Sequence, residues 1–167
     1  MKKLIQIAFV LIVVQLAGNV LAQQEAAPVA EKHYQWRLLF SPYTYHYTYD
    51  PEHKDVVMIG LEHEFPDASL DGLSLFKNSF GQDSAFIYPW GHIYRGIGGI
   101  NPLSFKWTAG LLYGYVEPYE NKVPLNYKGF SPGVIFGLAY EFRPGWSAQL
   151  NFLGTAAVMF QISVPLN

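Results

Sequence analysis

The sequence predicts an all-β protein, an eight-stranded antiparallel transmembrane β-barrel of the closed up-and-down kind, and three observations carry that expectation. Segment after segment alternates apolar and polar residues with period two, the mark of strands whose two faces meet different surroundings. Aromatic residues make up 17% of the chain and charged residues only 14%, whereas a soluble domain is about a quarter charged. Beyond residue 22 no unbroken apolar run is long enough for a spanning helix, so an apolar surface band has to be built from strands.

The N-terminus bears on location. Lys2 and Lys3, a mainly apolar run over residues 4–16 and the small-residue site Val20-Leu21-Ala22 read as a secretory signal occupying residues 1–22. A retained membrane helix fits less well, because the apolar core is short and polar sequence with Pro28 follows at once. Residues 23–33 read as a polar leader and residues 34–167 as the barrel. Removal of Lys2 and Lys3 moves the net charge from −2 to −4, which argues against nucleic acid as a partner. With no cysteine in the chain, disulfides and thiolate chemistry are excluded. These features together predict export to the bacterial cell outer membrane, with the chain acting as a monomer.

Taken in order, the first strand is expected over 34–49. Its apolar parity switches part-way: Trp36, Leu38 and Phe40 are even, Tyr43, Tyr45, Tyr47 and Tyr49 odd. A bulge at Pro42 lets both sets face outward, because an extra residue reverses the facing and proline gives no N–H to the ladder. Arg37 and His46 then point inward. Tyrosines on successive outward positions suit a membrane interface. The second strand, 55–65, sets Val57, Ile59 and Leu61 against Met58, Gly60, Glu62 and Glu64. The third covers 73–79 and the fourth 84–94, where Pro89 is awkward in a barrel without free edges. The fifth, 104–116, alternates Phe105, Trp107, Ala109 and Leu111 with Lys106, Thr108 and Gly110. After the longest connection, 117–132, come strands at 133–142, 146–153 and 156–164. With the leader in the periplasm, the turns at 96–102 and 143–145 fall on the periplasmic side and the long connection outside, the asymmetry expected of such barrels.

Eight strands leave an interior filled by side chains or holding one small ligand. Arg37, Glu62, Glu64, Lys106 and Glu141 should face inward near the periplasmic end and pair as a plug, since buried charges persist only when matched. A metal or proton site from Glu62, His63 and Glu64 is disfavoured, because His63 alternates away from both glutamates. At the outer end, His46 tops the first strand while Asn78 and Ser79 end the third, and the shared direction of these strands puts them at one level. That is a candidate hydroxyl, imidazole and amide group: Ser79 as nucleophile or proton donor, His46 as base, Asn78 as orienter. Alternatively, His46 hydrogen-bonds in a polar rim and Ser79 begins a turn, with no nucleophile elbow present. The residues alone leave both readings open, and with them the alternative of a non-catalytic outer-membrane barrel that binds a lipid or hydrophobic ligand or is purely structural.

The combination Tyr45-His46 with Tyr49-Asp50, then Gly72-Leu73 through Phe76-Lys77-Asn78-Ser79-Phe80, then Tyr88 to Tyr94-Arg95, resembles the outer-membrane lipid A palmitoyltransferases, the PagP family. The likeness extends to Val123-Pro124-Leu125 and the last hairpin, covering most of the mature chain. It implies an enzyme that moves an acyl chain from a phospholipid to lipid A and measures that chain in an apolar interior pocket. No cofactor and no metal are implied, and the partners are membrane lipids. Carried over by position, the family's histidine is His46, its serine is Ser79, and its aspartate position holds Asn78. The resemblance also implies lipid access where prolines interrupt the ladder, for which Pro42, Pro89 and Pro132 are candidates; as bare residues they read equally as bulges.

Overall fold

The computed structural model describes residues 35–166; the expected signal and leader lie outside the described residues. Eight antiparallel strands run in chain order: β1 (Gln35–His46), β2 (Met58–Glu64), β3 (Leu70–Lys77), β4 (Asp83–Arg95), β5 (Leu103–Tyr113), β6 (Phe130–Arg143), β7 (Trp146–Leu153) and β8 (Ala157–Leu166). Each pairs with the next and β8 pairs with β1, so the sheet closes on itself as an up-and-down barrel. The fold class expected from the alternation is the one found.

Strand ends differ from expectation where side chains compete with the ladder. β1 stops at His46 rather than Tyr49, because Asp50 builds a turn: the Glu52 N–H donates to its carboxylate and the His53 N–H to its carbonyl, both at 3.0 Å. β3 starts at Leu70, three residues early, with Leu70 opposite Glu64. β6 starts at Phe130, because Tyr127 and Phe130 exchange backbone hydrogen bonds of 2.8 and 3.0 Å and close a tight turn. Pro132 therefore sits within the paired register, opposite Leu111. The other two prolines do mark irregularities. The β1–β8 register shifts between Phe40 and Tyr43, and the β4–β5 register shifts between Ile87 and Trp90.

The outer wall is a continuous apolar and aromatic surface. Trp36, Phe40, Tyr43, Tyr45, Ile59, Leu75, Ile87, Trp90, Leu111, Val134, Phe136, Leu150 and Phe160, drawn from all eight strands, are exposed. The shift at Pro42 does what the parity required, turning both the even and the odd aromatic sets of β1 outward.

The inner wall divides into storeys. Toward the end where β1 begins, called the base here, Lys106 Nζ lies 2.5 Å from Glu62 Oε2 with both side chains buried. The Tyr88 hydroxyl donates to the same oxygen at 2.9 Å. Arg37 donates to Ser163 Oγ (2.8 Å), Gln35 Oε1 (2.8 Å) and the Gly145 carbonyl (2.6 Å), and Arg95 pairs with Glu64 at 2.5 Å. Only about 30 Å³ of open space remains among these groups, with Glu141 at its rim, room for about one water. Above this plug a row of amides, Gln149, Asn151 and Gln161, crosses β7 and β8. Beside the amides Leu39, Met58 and Met159 form an apolar cluster, with Phe76 and Leu153 packed against it; Met159 is opposite Asn151 and Leu39 opposite Ser163, while Met58, opposite Ser41 and Phe76, extends the cluster toward the mouth.

Because Lys106 and Glu62 are matched inside the barrel, Lys106→Met should cost about 3–5 kcal/mol, the cost of leaving one buried charge alone. Adding Glu62→Gln, which keeps an acceptor for Tyr88, should recover most of that loss. Denaturant unfolding of the refolded barrel in detergent, followed by tryptophan fluorescence, reads both values.

Candidate functional site

The end of the barrel at which β1 finishes, the mouth, is formed by the connections over residues 47–57, 78–82, 114–129 and 154–156. Asn78 organises the five-residue connection after β3. Its Oδ1 accepts the backbone N–H groups of Phe80 and Gln82, each at 3.0 Å, in the manner of an Asx turn. Its Nδ2 donates to Gln82 Oε1 (3.1 Å) and to the Gly114 carbonyl (3.0 Å). Gly81 then takes a positive φ of 82°, which lets the chain turn back into β4. At 1% exposure Asn78 is fully enclosed and its amide is fully used.

Ser79 follows at 6% exposure. Its carbonyl accepts the Lys54 N–H at 2.8 Å, which ties the connection after β3 to the one after β1. Its hydroxyl faces Tyr115; burial pushes the Tyr115 phenol above its ordinary pKa and the Ser79 hydroxyl pulls it back part of the way. Phe80, also buried, is the clasp of the mouth. The Tyr119 ring stacks on it at 4.3 Å, the His53 ring meets it edge-on at 5.3 Å, and Lys122 Nζ stands 4.8 Å from its centroid. Lys122 also reaches Asp50 Oδ2 at 3.2 Å. The Glu52 amide holds the Asp50 carboxyl below its ordinary range, with Lys122 adding to that effect.

His46 ends β1, half-buried, with its ring 4.1 Å from that of His53 and tilted by 35°. His53 in turn meets Phe80, the residue next to Ser79. His46 and Ser79 thus share the mouth and are linked through two rings, while among the described residues no hydrogen bond joins His46 to Ser79 or to Asn78. Asn78 acts on the turn and on Gly114, not on the imidazole.

No known protein-family model matches the chain, and no curated protein matches it.

The candidates were expected as strand-end residues; His46 does end β1, but β3 stops at Lys77 and leaves Asn78 and Ser79 in the connection, and the rings that join them lie in connections where alternation carries no information. His53 and Tyr119 were therefore missed; Tyr115 was expected on the fifth strand, but β5 ends at Tyr113 and leaves it in the connection. A signal for the turn was present: an asparagine followed three residues later by glycine favours a turn with one positive φ. Glu62, His63 and Glu64 do not converge. Glu62 belongs to the plug, while His63 stacks on Trp36 at 4.5 Å on the outer wall, and among the described residues no three His, Asp or Glu side chains gather as metal ligands.

Two substitutions test this architecture. Asn78→Asp puts a carboxylate against the Gly114 carbonyl and Gln82 Oε1, both of which need a donor, so it should destabilise the barrel by about 1–3 kcal/mol. Phe80→Ala should cost about 3–5 kcal/mol, as for a buried phenylalanine, and should accelerate amide hydrogen exchange in residues 47–57 and 114–129 more than in the strands.

Proposed function

We propose that this chain is an outer-membrane barrel that transfers an acyl chain from a phospholipid to lipid A. The observation that carries the reading is the vertical order inside the barrel. A mouth bearing His46, His53, Ser79 and Tyr115 stands over an apolar storey of Met58, Met159 and Phe76, with Met58 four residues mouthward of Glu62 on β2 and Met159 opposite Thr44, and below them lies a charged, hydrogen-bonded floor. A lipid acyl chain has the matching polarity: a polar ester at one end and hydrocarbon below it. The apolar outer wall supports the membrane setting, since such a surface is stable against lipid tails and costly in water. The short connections after β2 and β6 and the long one after β5 fit an orientation with the mouth outward.

In this reading His46 takes the proton of the acceptor hydroxyl as its oxygen attacks the phospholipid ester carbonyl. The tetrahedral intermediate collapses, the bond to the lysophospholipid oxygen breaks, and that oxygen receives the proton held by His46. The Ser79 and Tyr115 hydroxyls are the nearby donors for the carbonyl oxygen while it carries charge. No cofactor and no metal are required. Lys54, Lys77, Lys122 and Lys128 surround the mouth as cations for lipid phosphates.

A second reading, a barrel that binds a lipid without reacting it, is favoured by one observation: the amide of Asn78 is committed to the turn, so among the described residues it does not orient His46 in the way such chemistry uses.

The experiment is lipid analysis of cells expressing the wild type, His46→Ala or Ser79→Ala. Transfer predicts an added acyl chain on lipid A with the wild type. His46→Ala should lower it by about 100-fold or more, the range for loss of a general base, and Ser79→Ala should lower it as well, with the barrel still assembled. Unchanged lipid A in all strains contradicts transfer and favours the binding reading.

A further inference from the structure

Among the described residues, Thr44 Oγ1 and Gln161 Nε2 are the buried side-chain atoms without a hydrogen-bond partner. Thr44 is 7% exposed and Gln161 3%, and a polar atom left unpaired in such surroundings destabilises the fold. The two stand on neighbouring strands of one seam. Thr44 lies opposite Met159 in the β1–β8 register, and Gln161, two residues along β8 on the same face, is level with the shift between Phe40 and Tyr43.

Gln161 is also the end of the amide row. Gln149 Nε2 donates to Asn151 Oδ1, and Asn151 Nδ2 donates to Gln161 Oε1 at 2.9 Å. Rotating every amide of the row by half a turn reverses its direction and leaves an oxygen in place of the nitrogen at its end. Either way the row finishes on an unpartnered polar atom at the seam. The side chains around it can yield: Met58 and Met159 are unbranched and adopt many shapes at small cost.

Resting on the reading of the mouth as the place that holds a lipid's ester, we propose that this seam binds a hydroxyl carried on the acyl chain close to its carbonyl end, the chemistry of a 3-hydroxyacyl chain. Thr44 is two residues from His46 on the same strand, a separation of about 6–7 Å. A chain whose carbonyl sits beside His46 passes Thr44 within its first few carbons and Gln161 soon after. A hydroxyl both donates and accepts, so it completes Thr44 and Gln161 whichever way the amide row runs. A carbonyl oxygen only accepts and suits one direction of the row, and a methylene satisfies neither residue.

The test uses the full chain refolded in detergent, with displacement of a fluorescent fatty acid by 3-hydroxytetradecanoate or by tetradecanoate. The hydroxy acid should bind about tenfold more tightly, the effect of one net hydrogen bond away from water. Thr44→Val and Gln161→Met should each narrow that gap and together erase it, leaving affinity for the unsubstituted acid unchanged or raised. Equal affinity of the two acids in the wild type overturns the proposal, as does a preference that survives in the double variant. The wild-type comparison decides the matter even where a variant fails to refold. Binding preference without acyl transfer in cells would contradict catalysis and leave this site standing, whereas transfer without the preference would remove the site alone.

Discussion

The pairing of β8 with β1 is the constraint from which the rest follows. Once that last ladder closes, no strand edge remains to pair with another chain. Every strand must then send alternate side chains into a space only eight strands wide. That space is too narrow to be a pore and too polar in backbone and side chains to be left unsatisfied. The interior has resolved this with charge matching at the base, a row of amides in the middle and hydrocarbon toward the mouth. Where β1 and β8 fall out of step at Ser41 and Pro42, the closure is imperfect, and the inner wall there carries the unpartnered Thr44 and Gln161.

The mouth follows a different logic, because its connections have no ladder to hold them. One buried ring, Phe80, gathers them: His53 from the connection after β1, Tyr115 and Tyr119 from the one after β5, and Lys122 above. Asn78 fixes the turn that presents Phe80, and the Ser79 carbonyl anchors the Lys54 amide. The residues that hold the mouth together are thus interleaved with those proposed to act in it. Stability and the proposed chemistry share one five-residue turn.

Much of this was legible in the sequence, and the boundary of what was legible has a physical cause. Period-two alternation identifies strands because a one-residue slip would turn a whole face the wrong way, and so the eight strands, the reversal at Pro42 and the inward charges Arg37, Glu62 and Lys106 were all readable. Strand ends were less so: Asp50 halts β1 through hydrogen bonds that leave no periodic trace, and Tyr127 with Phe130 starts β6 early. The levels of His46 and Ser79 followed from strand direction alone. The placement of His53 between His46 and Phe80, and the closing of the Asn78 amide on Gly114, depend on contacts across the mouth between connections far apart in sequence. A single strand's pattern does not encode them.

The central claim is that an acyl chain descends from the mouth into the apolar storey. Beyond Met1 the sequence has two methionines, Met58 and Met159, and both line that storey. Methyl NMR of the refolded protein, held in a rigid-ring detergent too bulky to enter the barrel and titrated with a phospholipid, is the most direct measurement. The account expects both methionine methyl signals to shift saturably. Two signals that stay in place at saturating lipid would contradict it.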